Sequence, residues 1–515
     1  MNRIRGLWKI LFGRTTLLAI LLLVQVIFLV GGFAVLNEHV FLLNQLMGVI
    51  ALIIIFYILN HRQNASFKLT WIVLILALPV LGVFFYVFTK MQPGTATVRK
   101  RIEREIDRQS GYLMQDQGIF RELLVESPEN AGLVNYMHDY GNYPVYKESQ
   151  VKYFPSGEEK FKELLAQLEL AEEYIFMEYF IVDKGIMWDS ILEILERKAR
   201  EGVEVRFMYD GTCSLSLLPP YYGSRLEKKG IQCRVFAPLQ PFLSTHQNNR
   251  DHRKIVVIDG HTAFTGGVNL ADEYINERER FGHWKDTAVM IKGPAVRSFT
   301  LMFLQMWDVS SKKKTNLEKY LKYDFVPDPE MHGDGYVLPY GDSPYDDENV
   351  GERVYMDILY NAKEYVHIMT PYLILDDEMV AALTYAVKRG VDVKIIMPHI
   401  PDKEYAYILA RTYYPILLAE GVEIYEYTPG FVHAKVFTSD DEKAVVGTIN
   451  LDFRSLYLHF EDAVYMYKNS EVYNVEADFQ DTLSMCHRIT IDDCRNYSVV
   501  KRIAGAFLKI VAPLM

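Results

Sequence analysis

His252 and Lys254 stand two residues apart, Asp259 follows seven after the histidine, Gly266 seven after the aspartate and Asn269 three further on. His433, Lys435, Asp440, Gly447 and Asn450 repeat the same residue types at the same intervals. A single chance match to five fixed residue types in such a chain has a probability on the order of 10⁻⁴, so a second copy marks a duplicated site. An imidazole is a nucleophile and a proton carrier near neutral pH, while an ammonium and a carboxamide offer charge and donors to anionic oxygens. These are the parts for metal-free attack on a phosphodiester. One copy alone lacks a second imidazole to protonate the leaving oxygen; two copies facing each other supply it. The expected catalytic set is therefore His252, Lys254, Asp259, His433, Lys435 and Asp440, with Asn269, Asn450 and the two lysines binding phosphate.

Within that set the roles differ. Asp259-Gly260 is a tight-turn dipeptide and Ser439–Glu442 can turn in the same way, so Asp259 and Asp440 are expected to fix hairpins rather than do chemistry. Gly266 and Gly447 are expected to return opposite the histidines, where a missing side chain leaves room for a ligand. Asp286 and Glu461, lying 34 and 28 residues past their histidines, are candidates to orient an imidazole through its second nitrogen. Cys213, Cys233, Cys486 and Cys494 have neither CxxC spacing nor a histidine at finger spacing, so no zinc site and no cofactor is expected.

The elements that must position these groups also come twice. Arg200-Glu201-Gly202-Val203-Glu204-Val205 corresponds to Lys388-Arg389-Gly390-Val391-Asp392-Val393, and Lys229-Gly230-Ile231 to Glu420-Gly421-Val422. β-rich runs (Tyr174–Val182, Val203–Tyr209, Ile231–Phe236) alternate with amphipathic helical patterns such as Met187–Arg200. The second half repeats this with Val366–Leu373, Glu378–Lys388 and Val391–Met397. The fold class is α/β: two similar units with pseudo-two-fold symmetry, residues 111–325 and 326–490. A longer loop, Pro238–Asp251, precedes the first motif and suggests lid or substrate contacts. Residues 491–515 form a C-terminal amphipathic helix with Val500, Ile503, Ala504, Phe507 and Val511 on one side, either docked on the core, which the pattern favours, or lying on a bilayer.

Residues 1–110 read as a membrane anchor. Three apolar runs, Thr16–Leu36, Phe41–Leu59 and Leu69–Thr89, each approach the roughly 20 residues a crossing helix needs, and Pro79 in the third is better tolerated in lipid than in water. Arg3, Arg5, Lys9, Arg14, Arg62 and Lys68 place the N-terminus and second loop inside. The basic run Lys90, Arg99, Lys100, Arg101 and Arg104 asks for the same face, a conflict that a re-entrant or partly inserted run would relieve. This segment carries 12 Lys/Arg against 4 Asp/Glu, and the remainder 43 against 62. So acidic a body argues against a nonspecific nucleic-acid partner.

With these residues in view the chain resembles the phospholipase D superfamily, whose duplicated HKD signature is H-x-K-x4-D-x6-G-x-x-N, and within it the bacterial cardiolipin synthases. Thr370-Pro371-Tyr372, Gly430-Phe431-Val432-His433-Ala434-Lys435 and Gly447-Thr448-Ile449-Asn450-Leu451-Asp452-Phe453-Arg454-Ser455 carry the likeness. It implies two phospholipase D-like units behind N-terminal transmembrane helices, multi-pass attachment to the bacterial plasma membrane, and phosphatidylglycerol and other membrane phospholipids as partners. It also implies transfer of a phosphatidyl group to a second phosphatidylglycerol through a phosphatidyl-histidine, with His252 as nucleophile by analogy. A phospholipase D-type hydrolase, another headgroup exchanger and an inactive membrane scaffold are the alternatives. Three departures from the family pattern stand out: three apolar runs where two are usual, His459 where Asn is common in Leu458-His459-Phe460-Glu461, and Asp251 where Asn commonly precedes the histidine.

Overall fold

Tyr174–Tyr179 and Glu204–Asp210, largely apolar and buried on both faces except at Glu204, pair in parallel with each other, and Gln232–Phe236 continues the parallel set. The helix Ile186–Glu201 makes the first crossover and stops where Gly202 takes a φ of 101°, a left-handed cap that glycine adopts without strain. In this computed structural model, which describes Leu23, Ile27 and residues 41–514 apart from 91–92, 214–216, 239–248, 310, 312, 323–324 and 347, those strands belong to a seven-stranded mixed sheet. Its spatial order is Gln150–Phe154, Ala288–Lys292, Thr262–Gly266, Ile255–Ile258, Tyr174–Tyr179, Glu204–Asp210, Gln232–Phe236. The apolar run Thr16–Leu36 and most of the loop Pro238–Asp251 lie outside the described residues.

The second unit repeats this order strand for strand: Tyr336–Asp342, Glu461–Tyr467, Lys443–Gly447, Val436–Ser439, Tyr365–Met369, Asp392–Pro398, Glu423–Tyr427. One further antiparallel strand, Cys486–Arg488, closes its far edge. The helices Val296–Val309 and Glu471–Ser484 each pack on their own sheet and reach the first strand of the other. They close a core shared by both units, in which Phe176, Phe299 and Phe303 meet Val436, Val464 and Phe479. The two halves thus form one body with a pseudo-two-fold relation.

The N-terminal segment departs from expectation. Phe41–Asn60 is one helix, but the third run breaks at Leu78, giving Ala65–Ala77 and Pro79–Lys90. Proline lacks the N–H the helix needs and disfavours helical backbone in the residue before it. The two short helices fold together closely enough that a Cβ on Gly82 would lie 2.7 Å from the Ile75 Cα. Among the described residues no helix is long and apolar enough to cross a membrane. Large apolar side chains nevertheless stand exposed along these helices, among them Leu52, Phe56, Leu69 and Leu76. The segment docks on the second unit: Asn64 donates to Asp376 at 2.6 Å, and Phe67 packs edge-on against Phe453 and Tyr457.

The C-terminal region is two helices, Ile491–Asn496 and Val499–Val511, ended by a 3₁₀ turn at Ala512–Leu514. Val499–Val511 docks through Gly505, which sits against Thr412 and Ile408, and through Thr70, whose hydroxyl donates to the Ile510 carbonyl at 2.7 Å. The apolar row favoured as the core-facing side points away from the core: Val500 is 76 % and Phe507 69 % exposed. Glycine permits the closer approach, so the small-residue face packs and the bulky one stays outside.

Candidate active site

The chain enters each His-x-Lys turn as a short extended segment that pairs with the other unit. Gly430–Val432 runs parallel to His283–Lys285, with Phe431 opposite Trp284 and Val432 opposite Lys285. Continuing that register sets His433 beside Asp286, and the Nδ1···Oδ2 separation is 2.7 Å. In the other half Asp251 bridges Phe460, and His252 Nδ1 lies 2.8 Å from Glu461 Oε2. Both expected carboxylates therefore orient a histidine, but each holds the one from the opposite unit, not the one preceding it in sequence. An ionised carboxylate only accepts, so each Nδ1 carries the proton and each Nε2 keeps its lone pair.

Burial dominates the proton affinities. It pushes His252 down to about 3 and His433 down to about 4, outweighing the carboxylates that pull the other way. Burial alone would raise Glu461 and Asp286, but the rings they hold win and keep both below the ordinary carboxylate range. Each site therefore rests as a neutral imidazole against an ionised carboxylate.

His252 and Lys254 precede the strand Ile255–Ile258 rather than lying in it, as His433 and Lys435 precede Val436–Ser439. Lys254 Nζ donates to the His252 carbonyl at 2.6 Å, and Lys435 Nζ donates to that of His433. Burial pulls the two ammoniums down to about 8 and about 7. Asn269 and Asn450 line the shared cavity, yet both are engaged with the protein. Asn269 accepts from the Ile181 N–H and donates to the Tyr274 hydroxyl, and Asn450 donates to Ser455.

The glycines serve strand contact rather than ligand space: a Cβ on Gly266 would lie 2.5 Å from the Ala288 Cα, and one on Gly447 2.5 Å from the Ala463 Cα. Asp259 and Asp440 do not line the cavity. At the far ends of their hairpins, in left-handed backbone with φ of 50° and 57°, each accepts from three consecutive N–H groups, Glu172 to Tyr174 and Lys363 to Tyr365. Their place in the catalytic set is corrected to a structural one.

A cavity of about 660 Å³ opens over both histidines, lined by Phe180, Arg250, Tyr274, Tyr372, Arg454 and His459 among others. Its two imidazoles, backed by buried ammoniums and joined in the lining by the guanidiniums of Arg250, Arg280 and Arg454, suit an anionic ester. The family described as "Cardiolipin synthase, PLD-like domain" matches residues 164–307 and 355–483, spanning both motifs, and "Phospholipase_D-nuclease N-terminal" matches residues 49–90. A cardiolipin synthase of Alkalihalophilus pseudofirmus is 34% identical over 476 residues, covering 90% of this chain and 91% of that protein. The chain belongs to the cardiolipin synthase family of the phospholipase D superfamily.

Two further proteins are similar to this chain. An uncharacterized protein of Streptococcus mutans is 51% identical over 461 residues, covering 90% of this chain and 99% of that protein. The crystal structure of phosphatidylserine synthase from Haemophilus influenzae shares the fold, with a TM-score of 0.55 at 12% identity over 75% of this chain and 100% of that one. Against this cardiolipin synthase-type frame, the sequence did not single out Arg250 and Arg454 as functional. Arg454 stood in a segment noted only for its likeness, and Arg250 in the inserted loop. Among the described residues one group could hold a metal ion, His252, His459 and Glu461, whose ligand atoms lie within 4.8 Å of one another. The four cysteines are free.

Proposed function

We propose that this protein joins two phosphatidylglycerol molecules into cardiolipin, releasing glycerol. The observation that carries the reading is the pair of imidazoles from opposite units, each oriented through Nδ1 by the other unit's carboxylate, over one cavity. Nε2 of neutral His252 attacks phosphorus; the N–P bond forms as the bond to the headgroup glycerol oxygen breaks, and His433 gives that oxygen its proton. Neutral His433 then takes the proton from a headgroup hydroxyl of the second phosphatidylglycerol. That oxygen bonds to phosphorus and expels His252. One phosphodiester replaces another, so no nucleotide is consumed.

The first step needs His433 protonated although burial favours its neutral form. A phosphodiester anion about 4 Å away, at an effective dielectric near 20, favours the imidazolium by about 4 kcal/mol, which returns it to the neutral range. Substrate binding thereby arms the acid. Lys254, Lys435, Arg250 and Arg454 supply the remaining positive field, the lysines from beneath the histidine backbone.

The lipid reaches this cavity from a bilayer. Phe453 and Ala512 line it, and these are where the N-terminal helices and the C-terminal turn dock. Leu52, Phe56 and Leu69 on the N-terminal helices and Ile503 and Phe507 on Val499–Val511 are exposed apolar side chains that lipid would cover. In this reading the protein is a multi-pass protein of the cell membrane, attached through its apolar N-terminal segment. Product analysis with phosphatidylglycerol vesicles tests the reaction: cardiolipin with equimolar glycerol supports it, whereas phosphatidate identifies a hydrolase.

A further inference from the structure

Trp284 and His459 occupy matching places in the two halves, each two residues before the carboxylate that orients a catalytic imidazole. Trp284 packs on His433, ring centres 5.3 Å apart, with its only N–H directed at Asp286 at 3.5 Å. His459 packs on His252, ring centres 5.6 Å apart, with Nδ1 facing Glu461 Oε1 at 3.6 Å, the carboxylate oxygen His252 leaves unused. The indole has no further polar atom. The imidazole does.

His459 is only 9% exposed, yet among the described residues neither ring nitrogen has a hydrogen-bond partner, and Glu461 Oε1 has none either. Leaving a buried polar group unmet is destabilising, a penalty expected where a ligand completes the arrangement. The ring lines the cavity beside His252, with Phe180 across from it and its backbone N–H tied to the Arg454 carbonyl. Nδ1 is turned to Glu461, so Nε2 is the nitrogen left over in a ring that lines the cavity.

We propose that His459 is a phosphate-contacting residue: with Nδ1 set toward Glu461 Oε1, its ring donates Nε2–H to a non-bridging oxygen of the phosphodiester that His252 attacks. The inference rests on the reaction proposed above. It places a ring donor on the His252 side for which the His433 side has only an indole turned to its carboxylate, so the halves are chemically unequal although their folds match. Glu461 then holds two imidazoles, one on each oxygen, and couples alignment of the nucleophile to capture of the anion.

Two substitutions of the full-length protein separate hydrogen bonding from packing. His459→Phe keeps an aromatic ring against His252 without a donor, and His459→Asn keeps a donor without the ring. Orthovanadate binding is measured by calorimetry, and kcat and KM for cardiolipin formation are measured in mixed micelles. Loss of this hydrogen bond predicts about 10- to 100-fold weaker vanadate binding for the Phe variant, with kcat/KM down by a similar factor, and recovery of most of both in the Asn variant. Should the Phe variant not fold, His459→Met fills the volume without a donor and takes its place. Wild-type vanadate affinity in the donor-less variant, or an equal fall in the Asn and Phe variants, overturns the proposal. If the wild type itself makes no cardiolipin, the reaction is at fault, while the vanadate comparison still decides the role of His459.

Discussion

Asp286 of the first unit holds Nδ1 of His433 in the second at 2.7 Å, and Glu461 of the second holds His252 of the first at 2.8 Å. Neither half owns a complete acid–base pair, so chemistry requires the two sheets to be docked in register. Asp286→Asn and Glu461→Gln keep the shape but allow the wrong tautomer, and each is expected to lower kcat by about 10²-fold or more with little change in KM. Initial rates of cardiolipin formation decide it; a rate within twofold of wild type for both would remove the orienting role.

The order of the two histidines follows from where phosphorus is held after the first step. With a phosphatidyl ester whose leaving group needs no proton, the His433→Ala variant is expected to trap label on His252, and His252→Ala to trap none. Mass spectrometry of acid-labile phosphopeptides reads the position, and label on His433 in the His252→Ala variant reverses the assignment.

Asp259 and Asp440 each satisfy three backbone N–H groups away from the cavity. Replacing either by Ala is expected to cost about 1–3 kcal/mol of stability while the folded fraction keeps its turnover number. The first motif has a second structural tie: Arg253, 2% exposed, donates to Glu178 Oε1 at 2.8 Å. Arg253→Ala leaves Glu178 buried without that partner, and a loss of about 3–5 kcal/mol is expected. Denaturant titration followed by fluorescence measures all three.

Acid should destabilise the fold through its two site histidines. Their folded values of about 3 and about 4 lie below the unfolded value of about 6.5. Below about pH 6.5 the unfolded chain therefore takes up protons the folded chain refuses. The contribution is complete above that pH and is lost as the pH falls toward 4 and then 3. The denaturant midpoint should drop over this window, and His433→Gln should flatten part of the fall. A midpoint as steep in that variant as in wild type would count against a buried neutral His433.

Alkali acts on the lysines instead. Lys435 and Lys254, pulled down by burial to about 7 and about 8, lose their charge as the pH rises through those values, and the field under the phosphate weakens. kcat/KM is expected to decline above about pH 7 to 8, while a profile flat to pH 9 would show that their charge is not used.

The exposed row on Val499–Val511 predicts a separation of membrane from chemistry. Ile503→Glu combined with Phe507→Glu should reduce activity on phosphatidylglycerol vesicles by about 10-fold or more and leave turnover of a short-chain, monomeric substrate unchanged. Equal losses on both substrates would mean that the helix supports the fold, not the bilayer contact.

The spacing of His252, Lys254 and Asn269, and its repetition at His433, Lys435 and Asn450, was enough to read a duplicated phosphodiester site. The strand and helix runs of both halves were legible because apolar periodicity is a local property. The turn role of Asp259 and Asp440 was legible too, since Asp-Gly and similar turns carry their backbone preference with them. Pairing across the units was not. Which histidine meets which carboxylate depends on Gly430–Val432 aligning with His283–Lys285, residues nearly 150 apart in the chain, and no local pattern encodes that register.

The same distinction holds at the edges of the site. Helical periodicity draws an apolar stripe along Val500, Ile503 and Phe507, but which face of the helix packs on the protein was decided by Gly505 seating the opposite face against Thr412. Likewise the lysines are fixed by type and spacing, yet only packing turned their ammoniums toward the histidine carbonyls and away from the cavity. Residue type and interval determined the chemistry this protein can perform. The docking of two sheets decided which groups perform it together, because hydrogen bonds and charge act across a few ångströms of space and not along the chain.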